Sequence, residues 1–145
     1  MKQISFLFLL VCISASIGLA QQTATLKITD IHVTYDGQEY NPEGEIEVKL
    51  DDHNPTSAII FEIEGVKYGV DYQYKKGRNR IRLVRWGYVI KNGMEPKRGK
   101  KEKDMQNLKV SVTGSFSKRA VDNIMINRDN LESINITYKY ELTYK

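Results

Sequence analysis

"ESINITYKYELTYK", residues 132–145, carries the plainest structural signal in the chain. Ile134, Ile136, Tyr138, Tyr140, Leu142 and Tyr144 fall on one parity; Asn135, Thr137, Lys139, Glu141 and Thr143 fall on the other. Side chains of a strand point alternately to opposite faces, so this order makes one apolar and one polar face. A helix would scatter the same residues around its circumference. β-Branched and aromatic side chains also fit a half-buried pleated surface.

The same period recurs upstream. "EIEVKL" aligns Ile46, Val48 and Leu50; "AIIFEIE" aligns Ile59, Phe61 and Ile63; "LKVSVTGSF" aligns Leu108, Val110 and Val112. Stretches rich in Asp, Asn, Pro and Gly ("YDGQEYNPEG", "DDHNPTS" and "RDN") supply the reversals between them. In "TLKITDIHVTY" the apolar parity changes between Ile28 and Ile31, which predicts a bulge near Thr29-Asp30. "SKRAVDNIMINRD" reads as helix or strand, with a strand favoured over residues 123–127. The charged segment 91–106, "KNGMEPKRGKKEKDMQ", has no apolar period and is expected to be a mobile basic loop. About eight strands without intervening helices predict an all-β fold: an antiparallel β-sandwich with Greek-key, immunoglobulin-like connections. A closed barrel is the alternative.

The first 20 residues are set apart. "MKQISFLFLLVCISASIGLA" has a basic start, an apolar core and small residues at its end, the layout of a cleavable signal peptide. Its apolar run is too short to span a bilayer, and no second run of that kind follows. Cys12, the one cysteine, lies inside this core, where a lipoprotein cysteine would not be placed. Residues 21–145 are then a single domain without thiols, stabilised by core burial and not by disulfides. Export without cysteine points to a bacterial envelope, in the periplasm, on the cell surface or secreted. The formal charge of +4 is small for a chain that is 28% charged. Nucleic acid is not an expected partner.

"DYQYKKGRNRIRLVRWGYVIKNG", residues 71–93, poses the functional question. A three-residue hairpin loop, Lys75–Gly77, would put Tyr72 and Tyr74 on one face with Arg80. A four-residue loop, Lys75–Arg78, sets Tyr72 opposite Ile81 and Val70 opposite Leu83, giving a clean apolar face. Burying one such side chain contributes ~1.5–3 kcal/mol, which favours the second register. The Leu83-Val84 pair then predicts a bulge, after which Trp86 turns into the core. The candidate binding residues are Tyr72, Tyr74, Arg80, Arg82, Lys97, Arg98, Lys100, Lys101 and Lys103. They would take an anionic glycan or another polyanion.

Other chemistry has little to stand on. His32 lies on a polar parity and His53 in a turn; Asp51, Asp52 and Asn54 lack the spacing of a calcium loop. "SFSK" at 115–118 matches Ser-x-x-Lys without its companion motifs. Asn135-Ile136-Thr137 is a glycosylation sequon relevant only to a eukaryotic source. No catalytic residue, metal or cofactor is expected. The leading expectation is a non-enzymatic envelope domain acting by protein–protein contact, with strand addition at the C-terminal strand if that strand lies at an edge. The alternative is the glycan- or polyanion-binding module.

Overall fold

The computed structural model describes residues 23–107 and 114–145. Ten strands follow in order: β1 (Thr23–Tyr35), β2 (Gln38–Tyr40), β3 (Ile46–Asp51), β4 (Thr56–Ile63), β5 (Val66–Lys76), β6 (Arg80–Lys91), β7 (Lys97–Arg98), β8 (Glu102–Asn107), β9 (Gly114–Asn127) and β10 (Glu132–Tyr144). No helix occurs among the described residues. The expected signal peptide and the run Leu108–Val112 lie outside them.

The strands make two antiparallel sheets. In sheet A, β1 is flanked by β10 on one side and by β2 and β3 on the other, and β9 lies beyond β10. Sheet B is the meander β4-β5-β6, with β7 and β8 sharing the far side of β6. One hydrophobic core joins the inner faces of both sheets, as in a β-sandwich.

The alternation in β10 holds throughout, with Ile134, Ile136, Tyr138, Tyr140, Leu142 and Tyr144 all buried. The predicted break in β1 is present. Register shifts between Thr29 and His32, and Asp30 takes φ +54°, so Leu26, Ile28, Ile31, Val33 and Tyr35 all reach the core. Residues 123–127 are strand, as favoured, and the strand also takes in 117–122, where the sequence reads as helix or strand. β10, however, is a central strand, paired with β1 and β9, so it offers no free edge. In β4 a register shift between Ile59 and Phe61 sends Ile60 and Phe61 inward and leaves Ile59 exposed, against the simple alternation.

Two further expectations are corrected. Segment 91–106 is not a loop throughout: Lys97–Arg98 and Glu102–Asn107 pair with β6. Trp86 is not a core residue, and β5–β6 runs without a bulge. The hairpin has the even register expected, but it closes on Lys76 opposite Ile81, two residues further on, so Tyr74 faces Leu83 and Tyr72 faces Arg85. The apolar face of Val70, Tyr72, Tyr74, Ile81 and Leu83 is as expected. The inward parity of β6 then continues through Arg85, Gly87 and Val89.

Arg85 can remain inside because the core supplies its counter-charges. Its Nη1 donates to both oxygens of Asp122 at 3.0 Å. Its Nε lies 3.5 Å from Asp104, an ionic contact without a hydrogen bond. Tyr140 donates to Asp104 at 2.5 Å, Lys118 closes over the same carboxylate, and Tyr68 donates to Asp122 at 2.6 Å. Burial opposes the charge on Arg85, yet Tyr138, Asp122 and Asp104 hold its pKa above the usual value. Burial likewise pushes Asp104 up, but Lys118 and Tyr140 outweigh it and keep that carboxylate below its usual range. Gly87 makes room for this arrangement: a Cβ there would stand 2.6 Å from the Tyr68 hydroxyl.

The tyrosine hydroxyls provide a test. Tyr68 is bonded to a buried carboxylate, whereas the Tyr74 hydroxyl is buried with no hydrogen-bond partner among the described residues. Tyr68→Phe should cost about 1.5–3 kcal/mol in urea unfolding, and Tyr74→Phe should be neutral or slightly stabilising. Equal losses in the two variants would contradict this network.

Candidate ligand-binding face

With Leu83, Arg85, Gly87 and Val89 inward, the alternate residues of β6 point out of sheet B. Arg80, Arg82, Val84, Trp86 and Tyr88 form one row along the strand. From Arg80 to Tyr88 that row is about 26 Å long at the usual rise per residue. On its β5 side stand Lys75 opposite Arg82, Gln73 opposite Val84, Asp71 opposite Trp86 and Gly69 opposite Tyr88. On its other side stand Met105 opposite Arg82, Lys103 opposite Val84 and Arg98 opposite Tyr88.

The two aromatic rings are held in place by neighbours. Tyr88 lies across Gly69, where a Cβ would come within 2.2 Å of the ring, so only glycine allows this packing. The Arg98 guanidinium sits 5.7 Å from the Tyr88 ring centre and donates to Asp71 at 3.1 Å. Asp71 also accepts from the Ser57 hydroxyl. Lys101 places its ammonium 4.6 Å from the centre of the Trp86 ring. Both cations are attracted by the negative ring faces, which fastens the stretch between β7 and β8 onto the sheet.

The sequence-derived candidates divide accordingly. Arg80, Arg82, Arg98 and Lys103 share the outer face, and Lys101 reaches it through Trp86. Tyr72 and Tyr74 do not: both are fully buried, and Tyr72 donates to Tyr138 at 3.1 Å. Burial raises their pKa, Tyr74 to about 12. They are core residues because their parity is that of Val70 and Tyr68. Lys97 has the opposite parity to Arg98 and borders a cleft beside β9, and Lys100 is exposed between β7 and β8. Trp86 and Tyr88 were missed because the expected bulge turned them inward. The odd parity of Ile81, Leu83 and Val89, interrupted by Arg85 and Gly87, was the signal that would have turned them out.

The outer face of sheet A has a different balance. Lys27 pairs with Glu45 at 2.8 Å, while Arg119 and Lys139 converge on Asp30 at 2.8 and 3.0 Å. His32 lies 2.5 Å from Asn41 Oδ1 and 2.8 Å from Asp30, and these contacts raise its pKa. Lys139, His32 and Arg119 hold Asp30 well below the usual carboxylate range. Lys27, Arg119 and Lys139 are thus paired with carboxylates there, while Lys49 on β3 is exposed without an ion pair among the described residues. On sheet B, Lys75, Arg80, Arg82 and Lys103 have no carboxylate partner among the described residues.

Asp51 accepts from the backbone N–H groups of His53 and Asn54 at 2.8 and 2.7 Å, closing the Asx-rich turn on itself. Among the described residues no group of three His, Cys, Asp or Glu side chains is placed to hold a metal ion. The described residues include no helix long and apolar enough to cross a membrane. Comparison with protein-family models, with curated proteins and with solved structures produced no match.

Trp86 is the only tryptophan, so its fluorescence reports directly on this face. Lys101→Ala should increase acrylamide quenching of Trp86 while changing stability by about 1 kcal/mol or less. Unchanged quenching would contradict the stacked position of Lys101.

Proposed function

We propose that this chain is an exported, non-enzymatic β-sandwich domain of the cell envelope that binds a linear acidic glycan along the outer face of sheet B. The observation that carries the reading is a set of cations without a carboxylate partner among the described residues, Arg80 and Arg82 in line with Trp86 and Tyr88 on β6 and Lys75 and Lys103 beside them on β5 and β8. Cations along a strand attract a chain of negative charges, and aromatic rings offer flat apolar surface to the C–H faces of sugars. A strand row suits a linear ligand better than a compact one. Export rests on the layout of residues 1–20 and on the confinement of cysteine to that segment. The last strand returns beside the first, β10 against β1, which supports Greek-key, immunoglobulin-like connections as part of the same reading.

A second reading, contact with another protein by strand addition, is favoured by β9. Along its 14 residues it pairs only with β10 among the described strands, and it exposes Val121 and Met125.

Salt separates the two. Polygalacturonate and dextran sulfate should both shift the emission of Trp86. Their affinity should fall steeply as salt rises from about 0.1 M to about 1 M, where the screening length shrinks from about 10 Å to about 3 Å. Replacing Lys75, Arg82 and Lys103 together by Ala should weaken binding roughly tenfold at low salt, from three exposed contacts of modest strength. Salt-independent binding, or an unaffected triple variant, would count against the glycan reading and in favour of strand pairing.

A further inference from the structure

The outer face of sheet B ends, at the β5–β6 hairpin, in a shallow pocket of 290 Å³ lined by Lys75, Lys76, Gly77, Arg80, Arg82 and Met105. No carboxylate and no histidine lines it. Lys76, at the rim, donates to the backbone oxygen of Lys145 at 2.8 Å, so the weight falls on Lys75, Arg80 and Arg82. Arg80 and Arg82 stand two residues apart on one strand face, about 6.6 Å between Cα atoms. Lys75 is directly across from Arg82 on β5, and Met105 directly across on β8. Three cationic heads thus come from two strands toward one space, with a thioether side chain beside it.

We infer that this pocket takes a phosphate monoester carried by the glycan, an inference that rests on the reading of this face as a glycan surface. A carboxylate brings one negative charge and two oxygens, which is too little for two guanidinium forks and an ammonium. A sulfate ester brings three terminal oxygens but still one charge. A phosphate monoester brings three terminal oxygens and approaches two charges above its second pKa of about 6. Guanidinium groups match such oxygens in pairs, which an ammonium does not. Met105 is left to touch the sugar bearing the phosphate.

Between about pH 5 and about pH 7.5 a phosphate monoester passes its second pKa and gains charge, which makes the ligand's titration visible.

The test measures binding of three polymers by Trp86 emission and calorimetry: mannan bearing phosphate monoesters, dextran sulfate and polygalacturonate. Phosphomannan should bind several-fold more tightly at about pH 7.5 than at about pH 5, on either side of the phosphate pKa, and should then rank first. The other two should hardly change. Arg80→Lys with Arg82→Lys keeps the charge and should abolish that ranking, whereas Lys103→Ala should weaken all three polymers alike. Inorganic phosphate at matched phosphate concentration should bind at least tenfold more weakly, since it reaches neither Lys103 nor Trp86. Equal affinity for inorganic phosphate would overturn the glycan-borne part of the inference. Equal, pH-independent binding of the three polymers, or a ranking that survives the double Arg→Lys variant, would overturn the phosphate inference and leave the acidic-glycan reading standing. Binding of none of them would overturn both.

Discussion

Arg85 is a charged side chain in a core of tyrosines and aliphatic residues, and everything on the outer face of sheet B depends on its being accommodated there. An unpaired guanidinium in that setting would cost several kcal/mol. Asp122 and Asp104 neutralise it from two other strands, and Lys118 balances the second carboxylate. The four formal charges cancel. Because Arg85 is on β6, Asp104 on β8 and Asp122 on β9, the cluster also joins the far edge of sheet B to the edge of sheet A. Such a cluster adds less to stability than an apolar core of equal volume would, but it penalises any register that leaves one of its members alone.

The consequence is a fixed side for every residue of β6. A slip of one position would exchange the two faces, bringing Trp86 and Arg82 inside and expelling Leu83 and Val89. With Arg85 satisfied, no bulge is needed. The even residues stay on the outer side of the sheet, with Val84 buried among its neighbours and Arg80, Arg82, Trp86 and Tyr88 at least partly exposed beside the cations of β5, β7 and β8. An interior ion cluster thereby determines the composition of the exterior surface on the opposite face of the same sheet.

Much of the fold was legible in the residues. The alternation in β10, the parity change at Thr29-Asp30 and the Asx-rich turns each state a local constraint, and local constraints are readable one segment at a time. β6 was not, because the acceptability of Arg85 depends on acids 19 and 37 residues downstream, Asp104 and Asp122. One of them lies in a charged run that has no apolar period of its own. A partial signal did exist: Arg85 lies between Leu83 and Val89, and Asp122 between Ala120 and Ile124, on largely apolar parities and with opposite signs. The candidate site followed the same division. Arg80, Arg82, Arg98, Lys101 and Lys103 were recognisable as surface cations, whereas Tyr72 and Tyr74 were exchanged for Trp86 and Tyr88 by the misplaced bulge.

Hydroxyl-radical footprinting read by mass spectrometry tests the side assignment of β6 most directly, since it reports side-chain exposure residue by residue. Ready oxidation of Trp86, Tyr88 and Met105 is expected, with Tyr68, Tyr72, Tyr74 and Leu83 protected until the chain unfolds. Protection of Trp86 together with oxidation of Tyr72 and Leu83 in the folded protein would contradict that assignment.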